Sequence, residues 1–581
     1  MKEIFSRVRV NRKEAGLVLL FMLVSAGCTM ALPTLLASMI DKGISGQNHS
    51  FITTIGIVMA VLSVVACVCS VIATTLSARV STRFSADLRA AVFKQVQDFS
   101  AAEMDKFGTA SLVTRSVSDI TNVQDFLTMV LRAGLLAPLM AIAGLVLSSL
   151  SGGRISSVLI VAVPVLLPLT GIIVFFVTRY STLMRKKVDK INRLFLETLS
   201  GVRVIRAFNK QGYEMKRFGS ANEEYARIAV ESGRVGGLMM PVIQVVFGVT
   251  TAAVMAMGAS FVSQGTLEVG ALVANAQYIT MILMAVMMFS MVITMFPMAY
   301  ACAKRIAEVL ETENSIKDGS ASLSERKQKG TVVFDNVTFS YPGGDEPIIQ
   351  NISFEAHPGE VTAIIGKTGC GKSTILKLIP RLYDPSSGHV LVDGMDVRDY
   401  KVDELRSLIG FVPQNEMLFS GDIASNLNWG NPNGTEADWK RAAKIACADE
   451  FIEKKDGTFH APIDQGSTNV SGGQRQRISI ARAVMKKPEI YVLDDSFSAL
   501  DNTTNKQVRA NLKQVAGDQA TIIMVVERIG SILDADRILV LDEGKIIGSG
   551  THEELLKTCP LYKEIATLQL GEEVVNHVSK Q

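Results

Sequence analysis

Six long apolar runs, at about residues 15–40, 51–78, 127–151, 155–178, 237–264 and 270–303, stand out from the mixed polar and apolar positions of the first half of the chain. Each exceeds the ~20 residues that a helix needs to cross a hydrocarbon core of ~30 Å. The pattern predicts six membrane-spanning helices. The stretches after the second and fourth runs keep a helical composition with few Gly or Pro, so spans two to five are expected to continue beyond the membrane as long helices. Residues 313–330 (ENSIKDGSASLSERKQKG) lose this hydrophobicity and read as a linker. From 331 to 568 the pattern changes again. Short β-branched runs (Thr331 to Phe334, Val361 to Ile365, Ile490 to Leu493, Thr521 to Val526, Arg537 to Leu541) alternate with helical stretches, as in an α/β domain. Residues 569–581 read as a loose polar tail. The predicted architecture is thus an all-α six-helix membrane domain over residues 1–312, followed by an α/β domain.

Composition agrees with a divided chain. Of 581 residues, 48% are apolar and 20% charged, against roughly a quarter charged in ordinary globular proteins. Lys and Arg outnumber Asp and Glu by 29 to 18 up to Thr312, whereas beyond it they are outnumbered 30 to 38. A basic membrane half joined to an acidic soluble half excludes a single globular enzyme, a disordered protein and a basic-patch nucleic-acid binder. The basic residues also predict orientation. Arg79, Arg83, Arg89, Lys94, Lys106 and Arg115 follow the second span, thirteen Lys and Arg lie between Arg179 and Arg234, and the opposite loops carry only Lys42 and Arg154. By the positive-inside rule both long loops, both termini and the α/β domain face the cytoplasm. Lys2, Arg7, Arg9, Arg12 and Lys13 predict an interfacial segment before span one. The seven cysteines show no disulfide-framework spacing; Cys67-x-Cys69 admits a metal reading, but two apolar thiols in a lipid-embedded helix fit it better.

The candidate chemistry lies in the second half. Gly366-Lys367-Thr368-Gly369-Cys370-Gly371-Lys372-Ser373-Thr374 follows the apolar run VTAII and precedes ILKLI, which is the strand–loop–helix setting of a phosphate-binding P-loop. Its glycines let backbone N–H groups converge on phosphate oxygens, Lys372 reaches the β- and γ-phosphates, and the Ser373 hydroxyl is suited to Mg²⁺. Downstream, Ile490 to Asp494 reads as a buried strand ending in a carboxylate that also suits Mg²⁺.

Between these motifs stands Val470-Ser471-Gly472-Gly473-Gln474, and here the chain resembles the ATP-binding cassette (ABC) transporters. Their signature is L-S-G-G-Q, with Val470 in the leucine place. The resemblance covers nearly the whole chain and is to an exporter half-transporter, six spans fused to one cassette. It implies that Tyr341 stacks on adenine, that Gln414 touches Mg²⁺ and faces the membrane domain, and that Asp501, closing Ser498-Ala-Leu-Asp501, crosses to a partner site. It also implies that ATP is sandwiched between the P-loop of one cassette and Ser471, Gly472, Gly473 and Gln474 of another. Residues 100–116 and 202–214 resemble the coupling-helix regions of such exporters.

Two positions depart from the family pattern. Asp495 replaces the glutamate that orients the attacking water, and Glu527 replaces the switch histidine that contacts the γ-phosphate. A carboxylate retracted by ~1.5 Å is a poorly placed base, since a misplacement of ~1 Å costs ~100-fold in rate. An anion at the switch position repels the phosphate. The expectation is a slow site on this chain's own P-loop, with an intact signature that completes the active site of a second, different half-transporter.

Met281, Met284, Met288, Met291, Met295 and Met298 recur at helical spacing in span six. Either they pack against neighbouring helices or they line a path for varied apolar ligands. Arg132 in span three admits a contact to an anionic substrate or a place in a wet vestibule, and Pro297 predicts a kink. No Asp or Glu lies within the six runs, which argues against proton coupling. The expected activity is ATP-driven export of small amphipathic or hydrophobic compounds across a bacterial plasma membrane, in contact with membrane lipid and with ATP and Mg²⁺ as cofactors. An ATP-gated channel, a regulatory protein and an importer built on the exporter fold are the alternatives.

Overall fold

The computed structural model describes residues 11–344 and 346–571. Lys2, Arg7 and Arg9 of the expected interfacial segment, and the tail beyond 571, lie outside the described residues. The described chain forms two compact units, one of residues 11–97 and 109–312 and the other of 98–108 and 313–571.

The first unit is helical because a chain in lipid must satisfy every backbone N–H and C=O internally. Six helices carry the apolar runs: α1 (Lys13–Ile44), α2 (His49–Asp98), α4 (Thr109–Ser151), α5 (Ser156–Ser200), α7 (Gln211–Ser263) and α8 (Val269–Glu311). Along the chain, the short α3 (Ala101–Phe107), which belongs to the second unit, and α6 (Val202–Ala207) separate them. Mean hydropathy reaches 1.5 to 2.8 over the most apolar stretches of the six. At 50 residues, α2 is about 75 Å long, more than twice the hydrocarbon thickness. The charged part of the sequence therefore extends the apolar part without a break. Ile57, Val64, Ile142 and Phe175 are exposed, as lipid-facing side chains are.

Helix α8 forms the centre of this unit, with Ala274, Tyr278, Ile279 and Ile282 fully buried. Buried polar groups on it are paired, as burial requires. The Tyr278 hydroxyl is 2.5 Å from Thr34 Oγ1 and donates to the Met30 carbonyl at 3.2 Å, and Ser148 donates to Asn275 Oδ1 at 2.5 Å. Gly270 starts this helix where a Cβ would lie 2.3 Å from the Ala37 carbonyl, so α1 and α8 approach closely only because that position is glycine. The helix continues unbroken past Pro297.

The second unit holds three sheets. β1 (Val332–Phe339), β2 (Ile349–Ala356), β4 (Ser387–Val392) and β5 (Met395–Asp396) form an antiparallel sheet in the order β2-β1-β4-β5. The central sheet joins β3 (Val361–Gly366), β6 (Ile409–Val412), β9 (Ile490–Asp494), β10 (Thr521–Val525), β11 (Arg537–Asp542) and β12 (Lys545–Gly550) in the order β12-β11-β3-β10-β9-β6. β7 (Gly421–Asp422) pairs with β8 (Pro462–Ile463). Every residue of β9 and β10 is buried, which is why their sequences are continuous apolar runs rather than alternating ones. All pairings within the central sheet are parallel except that of β12 with β11.

Candidate nucleotide-binding site

Parallel pairing brings the carboxyl ends of β3, β10 and β9 side by side. Val525 lies opposite Ile364 of β3 on one flank and Asp494 of β9 on the other. Crevices at such ends are where open α/β sheets take ligands, and here one of about 290 Å³ is lined by Tyr341, Thr368, Gly369, Gly371, Lys372, Ser373, Thr374, Gln414, Asp494, Asp495 and Glu527. Ile348 and Val525 complete the lining; they are ordinary apolar residues in the sequence and carried no signal there.

The loop from β3 into α9 (Lys372–Leu378) is shaped by glycine. Gly371 has φ +101°, and a Cβ on it would meet Ile349 Cγ2 at 2.6 Å. Gly371→Ala is expected to destabilise the loop by about 1–3 kcal/mol and to remove MgATP protection in a thermal melt. Three motif residues do not line the crevice. Gly366 sits where a Cβ would fall 2.0 Å from the Leu541 carbonyl, Cys370 is buried in the core with Ile364 and Leu541, and the Lys367 ammonium lies 4.0 Å from Asp542.

Lys372 is buried and donates to the carbonyls of Gly366 and Lys367, both at 2.8 Å. Two of its three protons fix the loop and one remains for a ligand oxygen. Ser373 donates to Asp494 Oδ1 at 2.8 Å. Burial holds the Asp494 carboxyl above the usual range, against the opposing pull of Ser373, Lys377 and Lys372. Ser373, Asp494 and Gln414 thus offer hydroxyl, carboxylate and amide oxygens, a donor set that a hard divalent cation takes.

Asp495 adopts φ +47°, which a short polar side chain tolerates better than most. Its N–H donates to the Val525 carbonyl at 3.0 Å, and its own carbonyl accepts from Ser498 Oγ at 3.0 Å. Burial pushes the Asp495 carboxyl upward, a Ser498 hydrogen bond opposes this, and Glu527, Asp494 and Glu416 push it further up. Asp494, Asp495 and Glu527 therefore make the crevice rich in carboxylates. Glu416, two residues after Gln414, belongs to no motif in the sequence; one of its carboxylate oxygens is buried without a hydrogen bond.

Tyr341 stands edge-on to Phe339 and Tyr383, at ring-centroid distances of 5.0 and 5.2 Å, and its hydroxyl lies 3.2 Å from Thr374 Oγ1. Tyr383 in turn donates to Asp105 of α3 at 2.5 Å. On the same segment Glu103 accepts from the Ser100 hydroxyl and N–H and from the Ser315 N–H. Residues 98–108 belong to this unit through such contacts.

The remaining predicted residues are not among those lining the crevice. Ser471 caps α10 (Gly472–Met485) by accepting from the Gln474 N–H at 3.3 Å, while Gln474 Oε1 accepts from the Ser471 N–H at 3.1 Å. That reciprocal pairing is a capping box. Val470 is buried, so an apolar residue of another shape serves in the leucine place. Asp501 caps α11 (Asn502–Ala516) by accepting from the Thr504 N–H at 3.0 Å. Gln476 joins the two segments, donating to Ser498 Oγ at 3.2 Å and accepting from the Ala499 N–H at 3.0 Å. Its role rests on a contact 22 residues away, which no local pattern signals.

In the first unit a cavity of about 400 Å³ is lined by Met22, Met288, Met291, Met295, Asp125 and Arg132, among others. The methionine series does not share one environment, and Met284 is exposed. Met288, Met291 and Met295 line this cavity, whereas Met281 packs against a buried cluster that includes Met30 and Tyr278. No Cys67 or Cys69 metal cluster is present among the described residues.

A P-loop crevice in a cassette that is continuous with six apolar helices defines an ATP-driven membrane transporter. Comparison with known proteins narrows the class. Residues 16–287 match the ABC transporter transmembrane region, and residues 349–498 match the ABC transporter model. An ABC transporter ATP-binding protein of Mycobacterium tuberculosis is 40% identical over 566 residues, covering 97% of each chain. An ATP-dependent lipid A-core flippase of Albidiferax ferrireducens is 30% identical over 578 residues, again covering 97% of each. The solved structure of a bacterial Atm1-family ABC exporter with ATP bound superimposes with a TM-score of 0.81 at 26% identity, over 97% of this chain and 99% of that one. The chain belongs to the ABC transporter family, as an exporter half-transporter with its membrane domain fused to one ATP-binding cassette.

Proposed function

We propose that this chain is the slow-site subunit of a heterodimeric ABC exporter that moves amphipathic, lipid-like or drug-like compounds out of a bacterial cytoplasm. The observation that carries the reading is the pairing of Asp495 and Glu527 in one crevice with a signature helix whose cap is intact. Negative charge gathers where the γ-phosphate of ATP would lie, which opposes the transition state at this P-loop. Lys372 and the loop amides would hold the phosphates and Tyr341 the adenine. Ser373, Asp494 and Gln414 would hold Mg²⁺, whose charge neutralises the phosphates. Ser471 to Gln474, with Asp501, would face ATP held by a different half-transporter, and turnover would take place mainly there. The termini and cassette face the cytoplasm in this reading, on the charge distribution of the loops.

The cavity beside α8 supports an amphipathic substrate. Its thioethers adapt to varied apolar shapes, and Arg132 is a charged group on a membrane helix, which marks a pathway by default. The lipid in the name of the flippase relative points the same way. Inside-out vesicles holding this chain with its co-purified partner test the reading: ATP-dependent uptake of a fluorescent amphipath is expected, whereas conductance without ATP consumption would establish a channel instead. In the same assay Arg132→Gln is expected to raise the KM for anionic amphipaths about 10- to 100-fold, the loss of one charge-assisted hydrogen bond, and to leave cationic ones unchanged.

A further inference from the structure

The last helix of the cassette, α12 (Pro560–Leu570), is anchored by Tyr562 and Ala566, both fully buried. Near its end Gln569 makes two hydrogen bonds to the loop that follows β10. Its Oε1 accepts from the Ile529 N–H at 2.7 Å, and its Nε2 donates to the Glu527 carbonyl at 2.9 Å. One carboxamide thus grips the backbone on both sides of Arg528. A third tether comes from α11, where Asn505 donates to Ser531 Oγ at 3.0 Å in a buried position and is itself held by Arg509 at 3.0 Å. The loop makes few backbone bonds of its own to the sheet, chiefly Val526 N–H to the Ile364 carbonyl at 3.2 Å. Side chains from two helices therefore fix where Glu527 begins.

We propose that Gln569 is a positioning residue for this chain's own nucleotide site: by gripping the Glu527 carbonyl it keeps the Glu527 carboxylate in the crevice, and the C-terminal helix thereby sets the preference between ATP and ADP. The inference rests on the reading that Glu527 faces the γ-phosphate. ADP lacks that phosphate, so a carboxylate held there penalises ATP alone. Releasing the grip lets the loop withdraw and removes the penalty.

The test uses the full chain in nanodiscs, with its partner where the two co-purify, and counts as this site's binding only what Lys372→Ala removes. Gln569→Met keeps the length of the side chain and loses both hydrogen bonds. It is expected to accelerate hydrogen exchange of the Ile529 amide on the order of tenfold and to raise the ratio of MgATP to MgADP affinity several-fold, with the melting temperature unchanged. Gln569→Glu retains an acceptor for Ile529 but no donor for the Glu527 carbonyl, so it should protect the amide and still shift the ratio. Glu527→Gln should raise the ratio by itself and make Gln569→Met silent for it. If Glu527→Gln raises the ratio and Gln569→Met does not, the positioning role is overturned while the site reading stands. An unchanged ratio in Glu527→Gln overturns the site reading. Faster exchange with an unchanged ratio in Gln569→Met reduces the contact to a structural one and also overturns the proposal.

Discussion

Gly472→Asp is expected to lower ATP turnover of the assembled transporter at least about 100-fold, whereas Asp495→Asn changes it less than about threefold. The asymmetry follows from which P-loop each residue serves. Gly472 opens α10 with room for a side chain, because an added Cβ would meet Ala499 Cβ at an ordinary 3.6 Å. The fold therefore survives the substitution, while a carboxylate enters the place proposed for a partner-bound phosphate. Electrostatic donors at such positions contribute on the order of 10²–10³ in kcat, and replacing them with a like charge removes at least that. Asp495 acts at the site proposed to be slow, so its loss subtracts little. Steady-state ATPase of the co-purified complex decides between the assignments. A collapse with Asp495→Asn and normal turnover with Gly472→Asp would reverse them.

Lys372→Ala is expected to weaken MgATP binding at this chain's own site by about 100-fold. The ammonium provides charge-assisted hydrogen bonds worth about 1.5–3 kcal/mol each, and it also holds the carbonyls of Gly366 and Lys367. The variant loses the ligand contact and the loop's internal support together. Photolabelling by an azido-ATP, with peptide mapping to distinguish this P-loop from the partner's, measures the loss directly. Labelling at wild-type strength would rule out the P-loop as the nucleotide site.

Much of this architecture is readable from the chain alone, for physical reasons that differ by region. Apolar runs longer than the bilayer leave a helix few alternatives, so the six membrane helices follow from hydrophobicity. Buried parallel strands read as β-branched runs, and the spacing from Gly366 to Thr374 is the phosphate loop itself. Harder to read is whatever depends on contacts distant in sequence. Cys370 lies inside the motif but turns into the core, because its neighbours Ile364 and Leu541 come from separate strands. The methionines of α8 share one spacing but not one environment, since Met281 packs with Met30 of α1, Met288, Met291 and Met295 line a cavity, and Met284 is exposed. Gln476 and Gln569 act through partners that no periodicity indicates.

The contact between Asp105 and Tyr383 spans 278 positions of sequence and bears on how such chains are recombined. From its sequence, the polar stretch at 313–330 reads as the natural seam at which to exchange cassettes between relatives. Residues 98–108 nevertheless stay with the donor of the membrane helices in such a chimera, and Tyr383 arrives from the other parent. The two positions thus form one inherited unit although they are encoded far apart, and a working chimera has to carry both across together.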